Sequence, residues 1–226
     1  MREVVVDTET TGLNYKKGDR IIEVACVELI NHVASGKSLQ FYCSTDRIID
    51  KEAGKIHGLS NSFLNKFPTF AEQAQKFLNF IKTNKLIIHN ADFDIGFINN
   101  ELNNIGVKPL QNEVMDTVLL ARKKLNTRTV NLDYLCKRFS VDLGARKLHG
   151  ALLDCQLLSE VYLELLGGRQ TSLQLSKHPN KEDDSEDKQK KKYNKIHKVR
   201  VSIEEIKLHK EFVAKLKNSL WQKNNY

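Results

Sequence analysis

Asp7, Glu9, Asp94, His149 and Asp154 lie in three separated patches of the chain. These are Asp7-Thr8-Glu9-Thr10-Thr11-Gly12, His89-Asn90-Ala91-Asp92-Phe93-Asp94 and His149-Gly150-Ala151-Leu152-Leu153-Asp154. Four carboxylates and an imidazole in this order suit the hydrolysis of a phosphodiester. Hard divalent cations such as Mg²⁺ take oxygen ligands, keep some of their water and are completed by substrate phosphate. Two such ions, about 3.5–4 Å apart, need carboxylates converging from distant parts of a chain. A histidine that titrates near neutral pH can then take a proton from the attacking water. Singly, each patch has an ordinary structural alternative, such as a solvated strand end or a helix cap. The combination carries the reading.

Asp7 and Glu9 are two residues apart at the end of a predicted strand, so alternation puts both side chains on one face. Thr10-Thr11-Gly12 then turns the chain, with Gly12 permitting a tight backbone conformation. In the second patch one of Asp92 and Asp94 is a ligand, and the other caps the helix or faces solvent. His89 either contacts nucleotide or is a satisfied structural residue, and Phe93 either stacks on a base or faces the core. In the third patch a loop position for His149 and a first-turn position for Asp154 would face both into one cleft.

The elements that must hold these patches are legible from periodicity. Val4–Val6 is a short β-branched run, Ile21–Ile30 a second apolar run and Leu39–Cys43 a third strand, together an antiparallel meander. Phe70, Ala74, Phe77, Leu78 and Ile81 share one face of a helix that starts at Pro68-Thr69. Leu86–Ile88 is another buried strand. Helices follow over Asp92–Leu102, Thr117–Lys124, Leu132–Phe139 and Ala151–Leu166, the last stopped by Gly167-Gly168. Strands followed by alternating strand and helix give an α/β domain with a mixed central sheet flanked by helices.

The chain has 226 residues, 40% hydrophobic, enough for one cored domain and an extension, and its charge of +8 favours a polyanionic partner. Cys26, Cys43, Cys136 and Cys155 form no CxxC pair, which fits reduced thiols in a cytoplasmic protein. No signal peptide precedes Val4, and no apolar stretch reaches the ~18 residues that span a bilayer. Beyond the first domain, Ser176–Lys195 is charged and nearly free of apolar residues, so it reads as a flexible linker. Ser202-Ile203-Glu204-Glu205 matches a capping box, and Ile206, Phe212, Val213, Leu216 and Leu220 line one face of the helix behind it. That face folds back on its own domain or docks on another protein.

Asp7-Glu9, Asp94 and the His149/Asp154 pair resemble the DEDDh group of 3′-5′ exonucleases. The stretches DTETTG, HNADFDIGF and LHGALLDCQ are more similar still to the epsilon proofreading subunits of bacterial DNA polymerase III. The resemblance runs from Val4 to about Leu175 and more weakly into the C-terminal helix. It implies a ribonuclease H-like exonuclease fold and two metal ions, Mg²⁺ or Mn²⁺, held by Asp7, Glu9 and Asp154, with Asp94 a further ligand. It makes His149 the general base, and Asp7, Glu9 and Asp154 would also meet the substrate. Glu52 and His57 would approach the terminal nucleotide, while Thr10, Leu13 and Phe93 line the pocket for its base and sugar. Asp92 receives no metal role, since relatives often carry a small residue there. The partner would be a single-stranded or frayed DNA 3′ end, with mismatches selected by their lower unpairing cost.

After Gly167-Gly168-Arg169, the peptide Gln170-Thr171-Ser172-Leu173-Gln174-Leu175 resembles the segment by which epsilon subunits bind the sliding clamp. Gln170, Leu173 and Leu175 would be its anchors, although many clamp peptides end in Phe where Leu175 stands. The resemblance thus divides the chain into an exonuclease domain (1–168), a clamp-binding peptide (169–175), a linker (176–200) and a segment docking on the polymerase alpha subunit (201–226). It leaves open a small accessory subunit. The competing readings are a DEDDh exoribonuclease that trims RNA 3′ ends and a non-catalytic bridge between clamp and polymerase. Relatives of the first kind generally lack the linker and docking helix, and a bridge needs none of the carboxylates.

Overall fold

The computed structural model describes residues 1–144, 148–168 and 202–215. By internal contacts the chain divides into two units, Met1–Leu175 and Ser176–Tyr226. The first is built on a five-stranded sheet of β1 (Arg2–Thr10), β2 (Ile21–Ile30), β3 (Val33–Tyr42), β4 (Lys85–Ile88) and β5 (Val114–Asp116), in the order β3-β2-β1-β4-β5. The meander forms as expected, β2 pairing antiparallel with both β1 and β3. β4 and β5 add in parallel to the other edge of β1, each after a helical crossover, so the sheet is mixed.

Helices cover both faces. Val4 and Val6 pack with Leu86 and Ile88 against α3 (Phe70–Ile81) and α4 (Ala91–Asn104), including Phe77, Phe97 and Ile98. Val5 and Ile87 point the other way, onto Ala151, Cys155, Leu158 and Tyr162 of α7 (Ala151–Leu166). β2 is buried along nine of its ten residues, as an apolar strand covered on both faces must be. Outside α7, α5 (Thr117–Leu125) and α6 (Leu132–Phe139) close a third cluster around Leu135, Val161 and Leu165.

Local chemistry sets the helix ends. Thr69 caps α3 in a reciprocal box with Glu72. α7 stops where Gly167 and Gly168 take φ of 122° and 74°, conformations costly for a side chain, and their N–H groups satisfy the Glu164 and Leu163 carbonyls. β3 starts at Val33, not Leu39, because its exposed first half still pairs with β2, and three further features depart from the sequence reading. β1 does not end at Val6 but continues through Thr10, because β2 pairs along that whole length. Two short helices, α1 (Lys51–His57) and α2 (Asn61–Leu64), occupy a stretch assigned no element, and β5 was likewise unassigned. Gly12 is not among the residues with positive φ; what requires glycine is space, since a Cβ there would stand 2.5 Å from Asp50 Oδ2 and 2.6 Å from Asp19 Oδ2.

In the second unit, α8 (Ile203–Lys215) starts at the expected capping box. Glu205 N–H donates to Ser202 Oγ at 3.1 Å, and Ser202 N–H donates to Glu205 Oε2 at 2.8 Å. The clamp-peptide positions Gln170, Leu173 and Leu175, the linker 176–200, and Leu216 and Leu220 lie outside the described residues. Among the described residues no helix is long and apolar enough to cross a membrane.

Glu101, buried on α4, ties the start of β2 to the helix layer. Arg20 donates to its two oxygens at 2.7 and 2.6 Å, and Ile21 N–H to one of them at 3.3 Å. Glu101→Ala should lower stability by about 2 kcal/mol, less than the ~3–5 typical of a wholly buried pair because Arg20 reaches solvent. Urea unfolding at neutral pH checks this; an unchanged midpoint would contradict it.

Candidate active site

The three patches meet at one end of the sheet. β4 pairs with β1 only through Glu3, Val4 and Val5, so β1 projects past it and carries Asp7 and Glu9 beyond its end. In open α/β sheets, crevices form where strands end and the connections diverge. The turn after β4 passes through Asn90, which holds a left-handed φ of 71° that asparagine tolerates better than most residues. Asp116 fixes this turn: its carboxylate accepts from Asn90 and Ala91 N–H while also capping α5 through Val118 and Leu119 N–H.

Asp7, Glu9 and Asp154 each offer a carboxylate oxygen within 4.8 Å of the others. Asp7 and Glu9 share the β1 face that looks toward α7, whose first turn supplies Asp154. A helix N-terminus favours negative charge there. Asp94 is not in this trio. It comes from α4 on the opposite face, where Thr8 Oγ1 donates to its Oδ1 at 2.7 Å. Asp92 is exposed in the same helical turn. The structure thus separates the two acids that sequence left open: Asp94 turns inward and Asp92 outward.

Electrostatics describe a site that repels its own charge. Burial, then the carboxylates of Asp94, Glu9, Asp154 and Glu23, raise the Asp7 pKa well above the ordinary carboxylate range. Burial pushes Asp94 up to about 7 against the opposing hydrogen bond from Thr8. Crowded acids of this kind are stabilised in their charged forms by a cation, and an all-oxygen donor set suits a hard divalent one. The chemistry of the donors therefore fits the group the sequence implied.

His149 stands directly before α7, its Nδ1 3.3 Å from Asp154 Oδ2, and its side chain remains 47% exposed. Its backbone N–H donates to the Ile56 carbonyl at 3.0 Å, joining the loop to α1. Beside Glu9 opens a cleft of about 730 Å³ lined by Thr10, Leu13, Glu52, His57 and Phe93, every one of the expected pocket residues. Lys17, Arg47 and Lys51, which sequence did not single out, line it too. His57 is buried, its Nδ1 accepting from Leu59 N–H, and burial lowers its pKa below the ordinary value. His89 takes the structural alternative: Nδ1 lies 2.9 Å from Thr117 Oγ1, and burial lowers the pKa of the ring.

Two supporting residues escaped sequence reasoning. Thr8 sits between two acids and reads as a spacer, yet it holds Asp94. Glu23, opposite Glu9 in the β1–β2 register, is buried; it accepts from Gln40 Nε2 at 2.7 Å and from Ala151 N–H at 3.4 Å. It therefore anchors the N-terminus of α7 behind the acidic trio. Its position inside the apolar run of β2 was the signal, since a carboxylate is rarely buried there without a partner.

Comparison with known proteins agrees with this geometry. Residues 4–162 match the family described as Exonuclease. DNA polymerase III subunit epsilon of Rickettsia conorii is 42% identical over 224 residues, covering 96% of this chain and 96% of its own. The Escherichia coli subunit of the same name is 43% identical over 180 residues, 76% of this chain and 74% of its own. Among solved structures, the nuclease domain of 3′hExo, a DEDDh family member bound to rAMP, superposes with a TM-score of 0.64 at 15% identity, covering 73% of this chain and 91% of that domain, a likeness of fold. With the acidic trio, the histidine and these matches in agreement, the chain belongs to the exonuclease family and, within it, to the epsilon subunits of bacterial DNA polymerase III.

Proposed function

We propose that this chain removes mismatched nucleotides from the 3′ end of DNA as 5′-monophosphates, using Asp7, Glu9 and Asp154 to hold two divalent cations, Mg²⁺ or Mn²⁺, and His149 as general base. The observation that carries this is the convergence of the three carboxylates beside His149, with Glu9 also lining the Thr10/Leu13/Phe93 cleft. Two ions bound there would supply Lewis-acid stabilisation of charge on the attacked phosphodiester and the leaving oxygen. The chain's own residues do the rest. His149, oriented through Nδ1 by Asp154, takes a proton at Nε2 from the water that attacks phosphorus. The bond from phosphorus to the 3′ oxygen of the preceding nucleotide breaks, and that oxygen leaves to become the new 3′ hydroxyl. Asp94, held by Thr8, would be a further ligand.

Leu13 and Phe93 offer apolar surface that takes any base, so selection falls on ends that unpair cheaply. Glu52 and His57 line the same cleft and would approach the terminal nucleotide there. We place the exonuclease domain at 1–168 and the clamp-binding peptide at 169–175. A linker over 176–200 then precedes the polymerase-docking segment, 201–226. Two docking points joined by a flexible linker would raise the effective concentration of the nuclease at the primer end.

Digestion of a 3′-mismatched primer-template with Mg²⁺ tests the reading. His149→Ala should lower kcat by about 10²–10⁴-fold while leaving the melting temperature unchanged, since the ring is half exposed. Equal rates for the two proteins would remove His149 from the chemistry. An inactive but folded wild type on DNA, with activity on the matching RNA, would favour the exoribonuclease reading.

The crowded carboxylates give a second test that needs no catalysis. The unfolded Asp94 carboxyl titrates near ~3.9, whereas the folded one sits up at about 7. The folded state therefore holds the extra proton between these values, and the stability of metal-free protein falls as pH rises through that window. Cation binding competes with that proton, so the gain in Tm on adding Mg²⁺ should be larger at pH 8 than at pH 6. Equal gains at both pH values would contradict the assignment of these acids.

A further inference from the structure

The segment from Thr117 to Leu132 contains Arg122, Lys123, Lys124 and Arg128 and no acidic residue. Arg122, Asn126, Thr127 and Arg128 line a cleft of about 480 Å³ where α5 gives way to the loop before α6. Among the described residues none of the four cations forms an ion pair. Basic residues in the last turn of a helix complement its dipole, and that accounts in part for Arg122, Lys123 and Lys124. It does not account for Arg128, which lies beyond the helix, or for the concavity the two arginines share.

α5 is also tied to the active-site end of the sheet. The His89 ring, one residue past β4, meets Thr117 Oγ1 at the start of α5, at 2.9 Å. Asp116, the acid preceding the segment, is occupied in capping α5 and fixing the Asn90-Ala91 turn. The start of α5, the helix that ends at the basic cleft, is therefore hydrogen-bonded through Asp116 and Thr117 to the turn that leads into α4, which carries Phe93 and Asp94.

We propose that the Arg122/Arg128 cleft is a phosphate track for the nucleic-acid strand upstream of its 3′ end, an inference that rests on the exonuclease reading of the neighbouring site. Two arginines lining one cleft with the polar residues Asn126 and Thr127 suit backbone phosphates, which such groups contact without reading base identity. The cleft contributes affinity for longer strands and leaves the chemical step alone.

Binding and turnover separate the two ideas. Fluorescence anisotropy with a single-stranded oligodeoxynucleotide in EDTA, over a range of salt, measures the track without cleavage. Hydrolysis of the p-nitrophenyl ester of thymidine 5′-monophosphate, which has no upstream phosphates, measures the site alone. The R122A/R128A double variant should bind the strand roughly tenfold more weakly, with the slope of log K against log salt reduced by about 1.4, the value for two lost single-strand phosphate contacts. Its kcat/KM on the ester should equal that of wild type, and R122K/R128K, which keeps the charge, should recover most of the binding. Unchanged strand binding would overturn the track, and so would a proportionate loss on the ester. So would unchanged strand binding with lost affinity for the polymerase subunit, which would make the cleft a protein surface. A wild type that binds the strand through this cleft but hydrolyses neither DNA nor ester would sink the exonuclease reading and leave the track standing.

Discussion

Carboxylates held within a few ångströms of one another, partly out of water, repel, and this chain gathers several of them at the end of one strand. Asp7, Glu9 and Asp154 form the core of the group, with Asp94 and Glu23 behind them raising the cost of full ionisation. A fold would not keep such a cluster for stability, because each charge adds to the desolvation of the next. It persists because the surrounding structure over-determines its geometry, as happens where a ligand is to be bound.

That over-determination can be traced through particular bonds. Glu23 and Thr8, on neighbouring strands, hold α7 and Asp94 respectively, so two helices on opposite faces of the sheet are registered to the same end of β1. Asp116 accepts four backbone N–H groups and thereby fixes the turn from β4 into α4 to the start of α5. The Thr10–Gly12 turn is held from both sides: Asp50 N–H donates to the Thr11 carbonyl, Thr11 N–H to that of Arg20, and Gly12 makes room for the Asp19 and Asp50 carboxylates. The cleft and the histidine are joined where His149 N–H donates to Ile56 of α1, itself a lining residue of the cleft. Each contact is ordinary in strength, about 1 kcal/mol, but together they leave the acidic trio little freedom to spread apart.

Sequence periodicity and capping placed most of this frame. α3 and α7 have the expected bounds because their apolar faces are regular and their ends carry unambiguous signals, Thr69 with Glu72 and the Gly167-Gly168 pair. β5 escaped notice because it has only three residues and buries none fully, and α1 because His57 is its one buried residue. The polar run Asp7–Thr10 looked like the close of a strand, whereas β2 keeps pairing to Thr10, a partner invisible to local pattern. The five chemical residues were legible because their types and order are unusual. Thr8 and Glu101 were not, because their partners lie 86 and 81 residues away and nothing local marks them; Glu23 stands out as an acid inside an apolar run, but its partner Ala151 lies 128 residues away. At Gly12 a further requirement, room for the Asp19 and Asp50 carboxylates, is visible only in the tertiary structure.

The central claim is that the acidic trio is a two-cation site. Anomalous diffraction at the manganese edge, from crystals grown with Mn²⁺ and a nucleoside 5′-monophosphate, tests it without reference to rate. The account predicts two peaks about 3.5–4 Å apart among Asp7, Glu9 and Asp154, both lost in Asp7→Asn. A saturated crystal with no peak at the trio, or with manganese bound only elsewhere, would contradict it.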